Sequence, residues 1–338
     1  MIEFKELLMP IVSMGGLGVA FGGLLAFASQ KFEVKSDPRA DEINAVLPAA
    51  NCGGCGYPGC MNYAIAVAKG EAVNKCTVGG PAVAEKVAAI MGVDAVDAGE
   101  RMVARVHCNG GIHAVDEFDY QGILSCRAMN LVSGGPKACK NGCLGCGDCM
   151  DVCRFGAIEL VDGVAKIIPE KCTGCQACVK ACPKQIIKMI PAIQNTVVDC
   201  MNNEIGAHVK RNCSVACIAC RMCEKACRFD AIHVVNNIAS IDYDKCTDCM
   251  ECFEVCPTNA ITANPEMKVV AEVIDEKCIG CTICAKNCPT ECISGELKQV
   301  HKVNQAECIG CKICYEKCPK DAIALIPVDS KKKMKETA

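Results

Sequence analysis

Residues 143–153, CLGCGDCMDVC, set four thiols at the spacing CxxCxxCxxxC, and near-copies begin at Cys172, Cys217, Cys246, Cys278 and Cys308. Thiolates are soft ligands, suited to zinc or to iron–sulfur groups. Zinc sites usually join two CxxC pairs through a longer loop. Three thiolates at CxxCxxC can instead wrap three irons of one cubane, while a fourth, beyond a longer gap, points away from it. Where such quartets come in pairs, the fourth cysteine ligates the neighbouring cluster, and a proline commonly follows it.

The quartets here do come in pairs. Those at Cys143 and Cys172 start 29 residues apart, those at Cys217 and Cys246 also 29, and those at Cys278 and Cys308 30. Cross-ligation then sorts the thiols. In the first module Cys143, Cys146 and Cys149 take Cys182, while Cys172, Cys175 and Cys178 take Cys153. In the second, Cys217, Cys220 and Cys223 take Cys256, and Cys246, Cys249 and Cys252 take Cys227. In the third, Cys278, Cys281 and Cys284 take Cys318, and Cys308, Cys311 and Cys314 take Cys288. Six [4Fe-4S] clusters are expected, arranged as in bacterial two-cluster ferredoxins. Pro183, Pro257, Pro289 and Pro319 follow four of the last cysteines; Arg154 and Arg228 follow the other two. With every ligand position a thiolate, no iron is left open to a substrate, so single-electron transfer is the chemistry implied.

A seventh site is less regular. NCGGCGYPGC supplies Cys52, Cys55 and Cys60, and Cys76 follows in NKCTVGG. The glycines let backbone amides approach the sulfurs closely. Four thiolates would also satisfy zinc, and that alternative stays open. Six of the 34 cysteines remain. Cys126 and Cys139 lie 13 residues apart ahead of the first module, as Cys200 and Cys213 do ahead of the second. These four are a candidate set for an eighth cluster, against the plainer reading of buried small thiols. Cys292 stands where Ala157, Ala231, Ala260 and Ala322 stand after other quartets and is expected to pack as a small residue; Cys108 has no assignment. The five histidines, His107 and His113 among them, share no spacing.

These ligands need elements to hold them. The fold class expected is α+β: an N-terminal transmembrane helix (1–30), a small four-iron-sulfur domain (31–95), a connector (96–135), then tandem two-[4Fe-4S] ferredoxin-like modules over 136–190, 191–264 and 265–325, and a basic tail (326–338). Apolar alternation around Asp162-Gly163 and Asn236-Asn237 marks hairpins between paired quartets. With 4% aromatic residues and no tryptophan the conventional core is thin, so cluster binding is expected to supply folding free energy. The net charge of −3, without a basic stripe, argues against nucleic acid.

Leu7–Gln30 carries no charge and matches the roughly 20 apolar residues that span a bilayer. A cleaved signal peptide and a buried core helix are the alternatives, although Glu3 and Glu6 around Lys5 do not make a positive leader. Lys31, Lys35 and Arg39 are expected to place the bulk of the chain in the cytoplasm, with lipid contact through the helix. Gly18 and Gly22 form a GxxxG, open to close helix contact or simply tolerated in lipid. The glycines of GGLGVAFGG lie inside this helix rather than between a strand and a helix, so they make no nucleotide site.

The apolar N-terminal helix, NCGGCGYPGC and the following quartet pair together resemble the B subunit of the Rnf electron transport complex, an ion-translocating ferredoxin:NAD+ oxidoreductase. The resemblance covers residues 5 to 260, and the third module is where it guides least. It implies that Cys52, Cys55, Cys60 and Cys76 hold a [4Fe-4S] cluster, giving seven clusters, with the candidate set above for an eighth. It also implies electron transfer from reduced ferredoxin on the cytoplasmic side toward other Rnf subunits bearing iron–sulfur and flavin centres. The whole complex would reduce NAD+ and export Na+ or H+, with no complete active site on this chain. A polyferredoxin of another membrane oxidoreductase or hydrogenase, and a zinc–thiolate protein, are the competing functions. Lys180, Lys184, Lys312 and Lys317 are candidates for contact with ferredoxin.

Overall fold

The computed structural model describes residues 4–31, 37–94 and 99–328, and within the first helix the side chains of residues 14–28 and 31. Helix α1 runs Phe4–Lys31. Among the described residues no helix is long and apolar enough to cross a membrane; the rest of the expected span's side chains, and the basic tail from residue 329, lie outside them.

A three-helix unit follows, made of α2 (Pro38–Val46), α3 (Cys60–Ala68) and α4 (Gly80–Met91). The Asp37 carboxylate caps α2 by accepting the Arg39 amide at 3.0 Å, and Pro38 fills the first turn, where a missing N–H leaves no bond unmade. Gly92 ends α4 in the left-handed region that favours glycine. Ile43, Tyr63, Val67 and Val87 are fully buried between the helices, and Cys55, Cys60 and Cys76 pack on this core.

Three modules of one plan follow. The first comprises β1 (Met102–Val106), α5 (Cys126–Leu131), α6 (Asp148–Asp151), β2 (Ile158–Val161), β3 (Val164–Ile167), α7 (Ala177–Ala181) and β4 (Ile187–Pro191). The second comprises β5 (Val197–Val198), α8 (Gly206–Asn212), α9 (Met222–Ala226), β6 (Ile232–Val235), β7 (Ile238–Ile241), α10 (Glu251–Glu254) and β8 (Ile261–Thr262). The third comprises β9 (Val269–Val273), α11 (Ile283–Lys286), β10 (Ile293–Ser294), β11 (Lys302–Val303), α12 (Ile313–Glu316) and β12 (Ile323–Pro327).

In each, the first and last strands pair antiparallel, β1 with β4, β5 with β8 and β9 with β12. A hairpin lies between the quartets, and six one-turn helices carry the third cysteine of each quartet. The two hairpins expected from sequence form: Val161 pairs Val164, Val235 pairs Ile238, and both central residues of each turn have positive φ, the geometry that matches strand twist. Strand β1 lies inside the stretch expected to be a connector. It covers the edge of β4, with Val103 opposite Ile190 and both buried, so the first module's sheet reaches back to residue 102.

Candidate metal centres

All six quartets share one backbone signature. Positive φ recurs two residues after the first cysteine, one after the second and three after the last, at eighteen positions of which twelve are not glycine. The left-handed region costs a side-chain-bearing residue about 1 kcal/mol or more. The turns it makes aim amides at sulfur. The amide of Ala157 donates to Cys153 Sγ at 3.4 Å, Ala231 to Cys227 at 3.4 Å and Ala322 to Cys318 at 3.3 Å.

The structure brings the expected sets together. Cys278, Cys281, Cys284 and Cys318 line one cavity; Cys52, Cys55, Cys60 and Cys76 a second; Cys288, Cys308, Cys311 and Cys314 a third; Cys227, Cys246, Cys249 and Cys252 a fourth. These cavities are 330–360 Å³. For two further sets the neighbours show electrostatically. Burial foremost, then the like charges of Cys172, Cys175 and Cys153, pushes Cys178 up to about 12. Burial, followed by Cys217, Cys220 and Cys256, pushes Cys223 up to about 11. Neutral thiols crowded this way ionise together only with a cationic group among them, and its binding releases their protons. Among the described residues, no three His, Cys, Asp or Glu side chains converge tightly enough for a single metal ion. Four thiols ringing a cavity, with amides aimed at sulfur, fit a polynuclear iron–sulfur group.

The set at Cys143 has an addition that the spacing did not reveal. A cavity of 350 Å³ is lined by Cys143, Cys149 and Cys182 together with Cys126. Cys146 stands at its side, with Sγ 3.5 Å from Met129 Sδ. Cys126 is held there because Asp148, at the start of α6, accepts the amides of Cys126 and Arg127 and the Ser125 hydroxyl. Cys126 is thus placed at this cavity and not with Cys139, Cys200 and Cys213, the set its spacing suggests.

Cys292 packs as expected of a small residue, yet its Sγ also lies 3.5 Å from Cys288 Sγ. At Cys288 burial opposes ionisation, but Thr290 and Cys292 outweigh it by hydrogen bonding and hold the thiol below its ordinary value. His301, unnoticed in the sequence, is fully buried with Nδ1 3.9 Å from Cys278 Sγ.

Contacts join neighbouring units. A side chain on Gly54 would begin 3.0 Å from Cys175 Cα, so the N-terminal site abuts the first module's second set. The two arginines that stand where proline is usual add bonds between units: Arg154 donates to Ala50 O at 2.7 Å, at this same joint, and Arg228 to Pro289 O at 2.9 Å, between the second and third modules. Among the four candidate lysines, Lys184 is engaged internally. It is half-buried and donates to the carbonyls of Gly134 and Lys140, and burial, then the charge of Lys140, lowers its pKa.

Paired quartets on three sheet-backed modules, with a separate four-thiol helical unit, define an iron–sulfur protein of the multi-cluster ferredoxin type. Family models agree: a putative Fe-S cluster family matches residues 47–78, 4Fe-4S dicluster domains match 142–186 and 271–325, and 4Fe-4S binding domains match 216–230 and 239–262. The B subunit of the Na(+)-translocating ferredoxin:NAD(+) oxidoreductase complex of Acetobacterium woodii is 47% identical over 80% of this chain and 82% of its own length. The B subunit of the ion-translocating oxidoreductase complex of Methanosarcina acetivorans is 38% identical over 75% of this chain and 97% of its own length. The proton-translocating counterpart from Clostridium ljungdahlii is 44% identical over 77% and 93%. The chain belongs to the family of B subunits of Rnf-type, ion-translocating ferredoxin:NAD+ oxidoreductases.

Proposed function

We propose that this chain is the electron-transfer B subunit of a membrane-associated Rnf complex, holding [4Fe-4S] clusters on the seven four-cysteine sets named above. It would relay electrons from reduced ferredoxin toward the flavin-bearing subunits that reduce NAD+, with the complex coupling that transfer to Na+ or H+ export. Family membership together with the gathering of the expected sets carries this reading. Bound [4Fe-4S] clusters supply reversible one-electron transfer. The chain's residues do the rest: thiolates hold, turned amides stabilise charge on sulfur, and Arg154 and Arg228 fix one unit against the next.

Residues 31–95, 136–190, 191–264 and 265–325 are the proposed cluster-bearing units, the first module drawing β1 from the stretch before it. Leu7–Gln30 is the proposed single-pass anchor, with the bulk of the chain cytoplasmic. Val19, Phe21, Leu24, Leu25 and Phe27 are well exposed on α1, as lipid or a neighbouring membrane helix would require. Lys180 and Lys317, exposed beside their quartets, offer positive charge to an acidic ferredoxin.

Anaerobic isolation from the membrane tests the reading. The expected result is a brown chain with at least about 28 irons and equal sulfide, bleached by dithionite, reduced by ferredoxin at a salt-dependent rate, and co-purifying with flavin subunits that reduce NAD+. A colourless zinc protein, or a brown one that ferredoxin does not reduce, would overturn it.

A further inference from the structure

Four cysteines outside the seven sets meet at the joint between the first and second modules. Cys108, Cys139, Cys200 and Cys213 are each buried to 8% exposure or less and come from four separate loops. Cys108 follows β1, Cys139 precedes the first quartet, Cys200 follows β5, and Cys213 ends α8. A side chain on Gly110 would begin 3.5 Å from both Cys108 Sγ and Cys213 Sγ. Burial, with Cys108 and Cys213 adding like-charge repulsion, raises Cys139, and Cys139 in turn is among the neighbours acting on buried Cys200.

A buried thiol that merely fills space needs no donors. Gly110 N donates to Cys108 Sγ at 3.4 Å, and the amides of Asn141, Asn202 and Val215, each two residues on, favour negative charge on Cys139, Cys200 and Cys213. The same relation marks members of the recognised sets, Gly145 to Cys143, Asp248 to Cys246 and Ile313 to Cys311. Asn202 Nδ2 adds a bond to Cys139 Sγ at 3.5 Å. Neighbouring sets contribute too: the amide of Cys143 donates to Cys108 Sγ at 3.3 Å, and that of Cys217 favours negative charge on Cys200.

We propose that Cys108, Cys139, Cys200 and Cys213 ligate an eighth [4Fe-4S] cluster, seated between the Cys143 set and the Cys217 set. The assignment rests on the reading of the other sets as cluster sites, and Cys108 takes the place that spacing alone gave to Cys126. Without this site the two modules meet through protein alone. With it the sites fall in one file, from the Cys52 set through both clusters of the first module, across the joint and into the second.

Native mass spectrometry and iron and sulfide analysis of the anaerobically purified full chain test it. Eight clusters, about 32 irons, are expected in the wild type, with loss of one cluster in Cys108→Ala and in Cys200→Ala. A wild type with seven clusters overturns the eighth site and leaves the proposed function standing; a wild type with few or none overturns both. One zinc beside seven clusters, or loss in Cys126→Ala but not in Cys108→Ala, also overturns the assignment. A wild-type count below eight overturns the site whether or not either variant folds.

Discussion

Arg154 reaches across a unit boundary to the carbonyl of Ala50, 2.7 Å away and two residues before Cys52. Arg228, at the equivalent place in the second module, reaches the carbonyl of Pro289, next to Cys288. Proline at either position would supply no donor, so each of these two departures from the ferredoxin pattern ties one unit to another. Each bond is exposed and is worth about 1 kcal/mol. Arg154→Ala should keep the wild-type iron content while amide exchange around residues 50–55 speeds up by about fivefold. Unchanged exchange there would show that packing of Gly54 on Cys175 alone holds the joint.

The gathering of the cysteine sets and the two hairpins are legible in sequence because both follow local rules: a spacing of cysteines, and a two-residue turn between alternating strands. What sequence could not supply was proximity between distant segments. Cys126 and Cys200 share a 13-residue step to their next cysteine, yet Asp148 draws Cys126 to the first cavity, while Cys108, with no repeat partner at all, arrives beside Cys139 and Cys213 because β1 pairs with β4. His301 was hidden for the same reason, since only folding of the third module sets its ring against Cys278.

Close approach of backbone to backbone gives a second prediction. Gly174, between Cys172 and Cys175, has a φ of 71°, and a side chain there would begin 2.6 Å from Met102 O. Gly174→Ala therefore meets both a left-handed penalty and a clash with β1, together about 2 kcal/mol or more. The variant should melt below the wild type and lose the cluster of the Cys172 set first, seen as about four missing irons. A variant with full iron and an unshifted melting temperature would mean that β1 moves aside freely.

Left-handed residues at a dozen non-glycine positions, on modules with few large buried side chains, imply that the modules depend on what their thiols hold. Oxidative removal of iron under a chelator should unfold residues 102–327 cooperatively, with loss of strand circular dichroism. The three-helix unit, whose fully buried centre is Ile43, Tyr63, Val67 and Val87, should retain its helices. Modules that stay folded without iron would show that hydrogen bonding alone compensates the strain.

Tyr57, in the loop between Cys55 and Cys60, donates its hydroxyl to Glu71 at 2.6 Å. Glu71 also accepts the Ala72 amide and pairs with Lys75. Led by the Tyr57 bond, these hold the carboxyl down to about 2 from 4.5. For a carboxyl lowered on folding, the stabilisation is complete above the unfolded value of 4.5 and is lost only as pH falls toward 2. Glu71→Gln should therefore melt below the wild type by the same margin at every pH from about 5.5 to 8. Differential scanning across that range checks it; a margin that changes with pH would mean that Glu71 titrates near neutrality and that the Tyr57 bond does not hold it ionised.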